Sequence, residues 1–372
     1  EVFPNIEFQT GRCAVLRSAL LPVFINPSPI MKKLSFFSAA LLLAAVFSAG
    51  CSKDRKPSVK PTPDKDAPVE ILLSGGVVPA TSAEVRTAQL PPLTRAVINA
   101  EHGALEVSFA RLDQLDDGQY PAYATLSAAL PATLAANTGE VSSEAAISFA
   151  TSQYYLSRET NNDTKLVGWY PRAVPAAGVV TLNIDGGTDI MLTQELEGCK
   201  VAESRFGTAG KVFTFAHQLT QFRFKAYAAD AAAPAVWGKI TDIALKDRLP
   251  DCKITLPGTV EFEGVAADLF LSKNRLADDA DIAYPLAFTE GSDTAAECGY
   301  AMVAPVEAGA SLSLAVVTEQ GGTCEVALPV PDAGFEKGKA YDVVLKFTTT
   351  AVEPVATIGA WVDASDRVEI TL

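Results

Sequence analysis

Histidine is nearly absent from this sequence. Only His102 and His217 occur in 372 residues, beside three methionines and three tryptophans. No second histidine or cysteine stands at ligand spacing from either, so a zinc site is not expected. His217 lies in the apolar run Phe213-Thr214-Phe215-Ala216-His217 and reads as a structural residue. His102, in Asn99-Ala100-Glu101-His102-Gly103, reads as part of an exposed turn. The nucleophile motif G-x-S-x-G and the phosphate-cradling loop G-x-x-x-x-G-K-[ST] are both missing, which leaves hydrolase and nucleotide chemistry without a constellation. Cysteine never recurs as C-x-x-C, so zinc ribbons and dithiol redox motifs drop out. Basic residues are outnumbered, 30 Lys and Arg against 44 Asp and Glu, for a formal charge of −14. A nucleic-acid partner calls for a basic patch, and an acidic surface instead keeps neighbouring molecules apart. The acidic groups Asp278, Asp279 and Asp281, and Asp185 with Asp189, lack the D-x-D-x-D-G spacing of a calcium loop and read as polar loops. No enzyme activity, metal or cofactor is expected.

What is present begins with an address. The first methionine is Met31, followed by Lys32 and Lys33, the apolar stretch 39–47, and Ser48-Ala49-Gly50-Cys51. A basic start, a short apolar run and small residues before a cleavage point form a secretory signal. The run is shorter than the roughly 20 residues that cross a bilayer. The tripeptide before Cys51 resembles a bacterial lipobox, which implies cleavage between Gly50 and Cys51 and a lipid on Cys51. Residues 1–30 are expected to be an untranslated upstream segment, 31–50 the signal peptide, and 51–67 the lipidated cysteine and a flexible tether. Ser52-Lys53-Asp54-Arg55-Lys56 and the prolines 57, 61, 63 and 68 give that tether too little apolar surface to fold. Ser52 after the lipidated position resembles outer-membrane sorting.

The remainder alternates. Leu105-Glu106-Val107-Ser108-Phe109, Val180-Thr181-Leu182-Asn183-Ile184, Phe222-Arg223-Phe224-Lys225-Ala226, Leu312-Ser313-Leu314-Ala315-Val316 and Tyr341-Asp342-Val343 all carry period two. Alternation puts one set of side chains on a buried face, and many short alternating runs between turn residues mark antiparallel sandwiches. Leu105, Val107, Phe109, Phe222, Phe224, Leu312, Leu314, Tyr341, Val343 and Leu345 are expected to point inward. Helix is expected only as a turn or two within the Ala- and Leu-rich stretch 122–136. Two domains of ordinary size, 68–205 and 206–372, fit the length, with a border past residue 226 as the other placement. Cys199, Cys252, Cys298 and Cys324 fit either two disulfides or four buried thiols. Trp169, Tyr170 and Trp237 read as buried sandwich aromatics rather than sugar-stacking platforms.

Several of these fragments resemble one family, the Bacteroidetes fimbrillins (type V pilin-like). The stretch from Phe213 through His217 and Leu219 to Phe224 is similar to the family's F-x-H-x-L strand. Val167-Gly168-Trp169-Tyr170-Pro171 is similar to its W/Y-Y-P strand end. Phe335-Glu336-Lys337-Gly338-Lys339-Ala340-Tyr341 and Ile358-Gly359-Ala360-Trp361 resemble its C-terminal signature. The resemblance implies an all-β fold of two tandem transthyretin-like (Ig-like Greek-key) β-sandwich domains. It implies a fimbrial subunit or a tip or accessory adhesin at the outer membrane, built by donor-strand exchange with other subunits. Thr94-Arg95-Ala96 resembles the family's Arg-specific cleavage site, with Arg86 as a second candidate. Val69, Ile71 and Leu73 would then be the N-terminal strand that fills the groove before processing, and Val368, Ile370 and Leu372 the donated strand. The alternative is a lipid-anchored surface protein that binds glycans or host proteins and never polymerises.

Overall fold

In a computed structural model of the chain, residues 67–78, 102–137, 144–157, 164–276 and 280–359 are described below. Gly50, Cys51, Arg86, Arg95, Val368, Ile370 and Leu372 lie outside them, as do Asp278 and Asp279 and the signal and tether segments. Period two becomes strand throughout. In the first part of the chain these are β1 (Leu73–Val77), β2 (Leu105–Asp113), β3 (Leu130–Leu134), β4 (Ala145–Phe149), β5 (Thr164–Tyr170), β6 (Val179–Asn183), β7 (Met191–Leu192), β8 (Leu196–Gly198) and β9 (Phe213–His217). There follow β10 (Thr220–Ala228), the short helix α1 (Ala233–Trp237), β11 (Ile240–Arg248), β12 (Asp251–Thr255), β13 (Thr259–Glu263) and β14 (Ala267–Phe270). The last are β15 (Ala296–Val303), β16 (Leu312–Thr318), β17 (Gly322–Leu328), β18 (Ala340–Phe347) and β19 (Val352–Gly359). The fold is all-β. Among the described residues no helix is long and apolar enough to cross a membrane.

The stretch 122–136 holds one helical turn of the kind expected, a 3-10 turn at Tyr123–Thr125, and then strand β3. Alanine and leucine favour a helix in isolation, but β3 pairs with β2 on one side and β4 on the other. Those ladders and the burial of Ala132 and Leu134 override the local preference.

The first sheet closes on itself. Its order runs β2-β3-β4-β1-β9-β7-β5, and β5 pairs back onto β2, with β8 appended along β5. Inside lie Leu105, Val107 and Phe109 of β2, Ile147 of β4, Leu166 of β5 and Phe213 and Phe215 of β9. Phe109 meets Phe213 edge-on with ring centroids 5.1 Å apart.

The second part is built from two four-stranded sheets, β15-β10-β18-β19 and β14-β11-β16-β17. Phe222, Phe224, Tyr341, Val343 and Leu345 of one and Leu245, Leu312, Leu314 and Val316 of the other form one cluster, as in a β-sandwich. All ten residues expected to point inward are buried, at 5% exposure or less. Outward positions include Arg223, Lys225, Asp342 and Lys346, and Arg223 meets its parallel-ladder partner Asp342 at 2.7 Å.

A third sheet, β13-β12-β6, crosses the two parts. Strand β6 of the first part pairs along its full length with β12 of the second, Leu182 opposite Cys252. A core cluster spans the same seam, joining Trp169, Leu182 and Ile190 to Ile254, Tyr300 and Met302. Strand β9 also lies with the first part, in the closed sheet, and β10 opens the second.

Candidate functional site

The feature that stands out is how β1 is held. On one side it runs antiparallel to β4, Leu73 opposite Ile147 and Gly75 opposite Ala145. On the other it runs parallel to β9, Gly75 opposite Phe213 and Val77 opposite Phe215. The pairing starts upstream of the strand proper. Ile71 donates its N–H to the Gln153 carbonyl at 2.7 Å, and Tyr155 donates to the Val69 carbonyl at 2.9 Å. Thus the segment 69–78 is held on one edge over residues 69–75 and on the other over 75–78, the two ladders overlapping at Gly75, yet it joins the rest of the chain only through residues that lie outside those described here.

Its inward side chains make the seat apolar. Ile71, Leu73 and Val77 are buried, and Val69 packs partly buried on the same cluster. The aromatics around them are fixed by polar anchors at the rim. Tyr155 stacks on Phe206, with centroids 5.9 Å apart, and its hydroxyl accepts the Phe206 N–H at 2.8 Å. Burial pushes the Tyr155 hydroxyl up to about 12. Arg111 on β2 reaches the outside of the 153–154 segment, donating to the Gln153 side chain at 3.2 Å and the Tyr154 carbonyl at 2.8 Å. The Asp113 carboxylate holds that guanidinium at 3.0 Å. Arg111 therefore positions the strip of backbone to which Val69 and Ile71 bond.

At Gly75 the fit is closest. A Cβ there would lie 2.7 Å from Ile147 Cδ1 and 2.8 Å from the Phe213 carbonyl oxygen. Neither Gly75 nor Arg111 was singled out by sequence reasoning. The signal for the glycine was available, since Gly75-Gly76 inside an apolar run marks close backbone approach. For Arg111 no local signal existed, because its partners lie about forty residues away.

The other expected residues are placed as follows. His217, at the end of β9, is buried and bonds through Nδ1 to Asp189 Oδ2 at 2.5 Å, while Asp189 Oδ1 accepts the Ile190 N–H. Asp185 closes its own loop, accepting from Gly187 and Thr188. Asp189 and Asp185 thus serve different local structures. His102 is a correction: it is buried, not exposed, because its backbone pairs in both directions with Asn137. Burial lowers its pKa. Trp169 and Trp237 are buried, and Trp237 donates to the Thr348 carbonyl at 2.6 Å. Cys199, Cys252, Cys298 and Cys324 are all free thiols. A separate cavity of about 420 Å³ is lined by Val260, Phe262, Val306, Phe335, Glu336 and Lys337 among others, none of them on β1, β4 or β9. Among the described residues no cluster of His, Cys, Asp and Glu is arranged to hold a metal.

No protein-family model matches the chain, and no curated protein matches it by sequence. Solved structures do. A candidate cell adhesion protein from Bacteroides uniformis is similar with a TM-score of 0.50 at 15% identity, covering 80% of this chain and 100% of its own. One from Bacteroides ovatus has a TM-score of 0.49 at 14% identity, with coverage of 80% and 100%. A fimbrial assembly protein from Parabacteroides distasonis has a TM-score of 0.43 at 10% identity, with coverage of 78% and 97%. The chain shares the all-β fold of the Bacteroides uniformis protein. At these identities the likeness is one of fold. In this fold the seat of β1 brings backbone hydrogen bonding and an apolar surface together.

Proposed function

We propose that the chain is a fimbrial subunit or tip adhesin, a structural protein rather than an enzyme. On this reading it is exported as a lipoprotein, anchored in the outer membrane through Cys51, and joined to other subunits by donor-strand exchange. The observation that carries the proposal is the placement of β1 between β4 and β9. A strand removed from that position leaves two unpaired backbone edges and a row of apolar seats, which is what an incoming strand recognises. Unlike surfaces joined head to tail build an open filament. Cleavage after Arg95, or after Arg86, would cut the connection of the 69–78 segment to the body without touching its ladders. The strand would leave only by displacement, since each buried aliphatic side chain is worth roughly 1.5–3 kcal/mol. The donated strand would be the stretch carrying Val368, Ile370 and Leu372. Two tandem transthyretin-like sandwiches, 68–205 and 206–372, belong to the same proposal, with β9 reaching back into the first.

The test is to treat the purified chain with an Arg-specific protease and follow its mass and size. Cleavage between residues 78 and 102, loss of the N-terminal segment and concentration-dependent multimers are expected. Clean cleavage with a chain that stays monomeric when concentrated would favour the non-polymerising surface lipoprotein. Replacing Cys51 by Ala should abolish fatty-acid labelling and release the protein from the membrane fraction.

A further inference from the structure

The sheet β13-β12-β6 reaches one strand further than the core beneath it. Val180 and Leu182 of β6 are buried, and so are Ile254 and Cys252 of β12. The same two rows continue onto β13, with Val260 opposite Ile254 and Phe262 opposite Cys252. Residues directly opposite one another share a face of the sheet, so Val260 and Phe262 belong to the buried side. Both nevertheless stay partly exposed. The cavity of about 420 Å³ lies against them, a size within the roughly 300–1,000 Å³ of small-ligand sites.

The facing wall is fixed and polar. Phe335 and Val306 exchange two backbone hydrogen bonds, at 2.8 and 3.0 Å. Gly334 passes so close that a Cβ there would lie 2.4 Å from the Val306 carbonyl oxygen. The Thr220 hydroxyl shares its proton between the Phe335 and Glu336 carbonyls, at 3.1 and 2.9 Å. Gln218 is only 4% exposed. Its amide is oriented by donating to the Ala216 carbonyl at 2.7 Å, and its Oε1 accepts from Lys337 Nζ at 3.1 Å. Glu307, Glu336 and Lys337 are exposed on the rim.

These walls select by chemistry. Two carboxylates beside one ammonium give no net positive field for an acidic ligand, and the whole chain carries −14. A wholly apolar ligand would cover Phe262 but strip water from the rim without replacing its hydrogen bonds. A pyranose ring satisfies both walls. It presents C–H groups on its faces and hydroxyls around its edge, and each hydroxyl both donates and accepts. We propose that this cavity binds an uncharged saccharide of one or two pyranose rings. The ring face lies on Phe262 and Val260, and the hydroxyls donate to Glu307 and Glu336 and accept from Lys337. No lining residue is on β1, β4 or β9, so the site does not depend on strand exchange.

The test applies saturation-transfer NMR to the full chain with millimolar disaccharides. The neutral probes are maltose, cellobiose, lactose and diacetylchitobiose, and the acidic probes are digalacturonate and sialyllactose. At least one neutral probe should bind, with transfer strongest at its ring C–H protons. Val260→Trp, which fills the cavity, should weaken that probe at least tenfold. Lys337→Ala combined with Glu307→Ala should do the same. This pair lies on the exposed rim and should leave the denaturant midpoint unchanged, so it decides the matter if the tryptophan variant fails to fold. Binding untouched by the rim pair would place the saccharide elsewhere and overturn the proposal. So would tighter binding of the acidic probes, or no binding of any neutral one. A protease-cut chain that stays monomeric yet binds the sugar would sink strand exchange and leave this site standing.

Discussion

Gln221 is wholly buried on β10, opposite Met302 on one neighbouring strand and Ala340 on the other. Neither end of its side-chain amide has a hydrogen-bond partner among the described residues. A buried amide without partners costs roughly 1–3 kcal/mol. Gln221→Met, which keeps the length and removes the polar atoms, is expected to stabilise the chain by about that amount, read as a rise in the denaturant midpoint. A fall would show that the amide is held by something a methionine cannot replace. Residue-scale legibility was uneven. The inward set from Leu105 to Leu345 was readable because alternation directly encodes which face is buried. The burial of His102 was not, since it follows from a backbone pairing with Asn137.

At the scale of elements, strands were legible and their neighbours were not. Period two identifies a strand but says nothing of its partner. The pairing of β1 with β9 spans well over a hundred residues, and that of β6 with β12 nearly seventy. The position of β9 has a measurable consequence. A fragment ending at Arg205 lacks β9 and leaves β1 and β7 each without one flanking strand. A fragment ending at Gln218 retains it. If each is expressed from residue 67, the longer should show markedly more protection of the β1 amides in hydrogen exchange. Equal protection would mean that β4 alone holds β1. Both fragments expose β6, whose partner β12 is lost, so neither is expected to match the full chain.

At the largest scale, the shared sheet and the core cluster at the seam join the two β-rich parts. Three acidic groups spread across them report on their alkaline stability. Burial pushes Tyr155 and Tyr170 up to about 12 from an ordinary 10.0, and Cys252 up to about 12 from 9.0. The folded chain holds these protons where the unfolded chain releases them, so their contribution is intact below the unfolded values and is lost as pH rises through the folded ones. The denaturant midpoint should therefore fall between pH 9 and 12. Burial also raises the Cys298 thiol from 9.0, so replacing both Cys252 and Cys298 by Ala should move the onset of that fall from near 9 toward 10. An onset unmoved by the double substitution would remove the thiols from the account.

The two-sided grip on β1 also has a mechanical meaning. A strand bonded along one edge can be peeled, its hydrogen bonds failing one after another under small force. A strand bonded along both edges, antiparallel on one side and parallel on the other, and pulled along its own axis loads both ladders in shear. All the bonds then share the tension and fail together. A joint made in this seat would be slow to open under flow, while a force applied across the strand, at an end, would still unzip it.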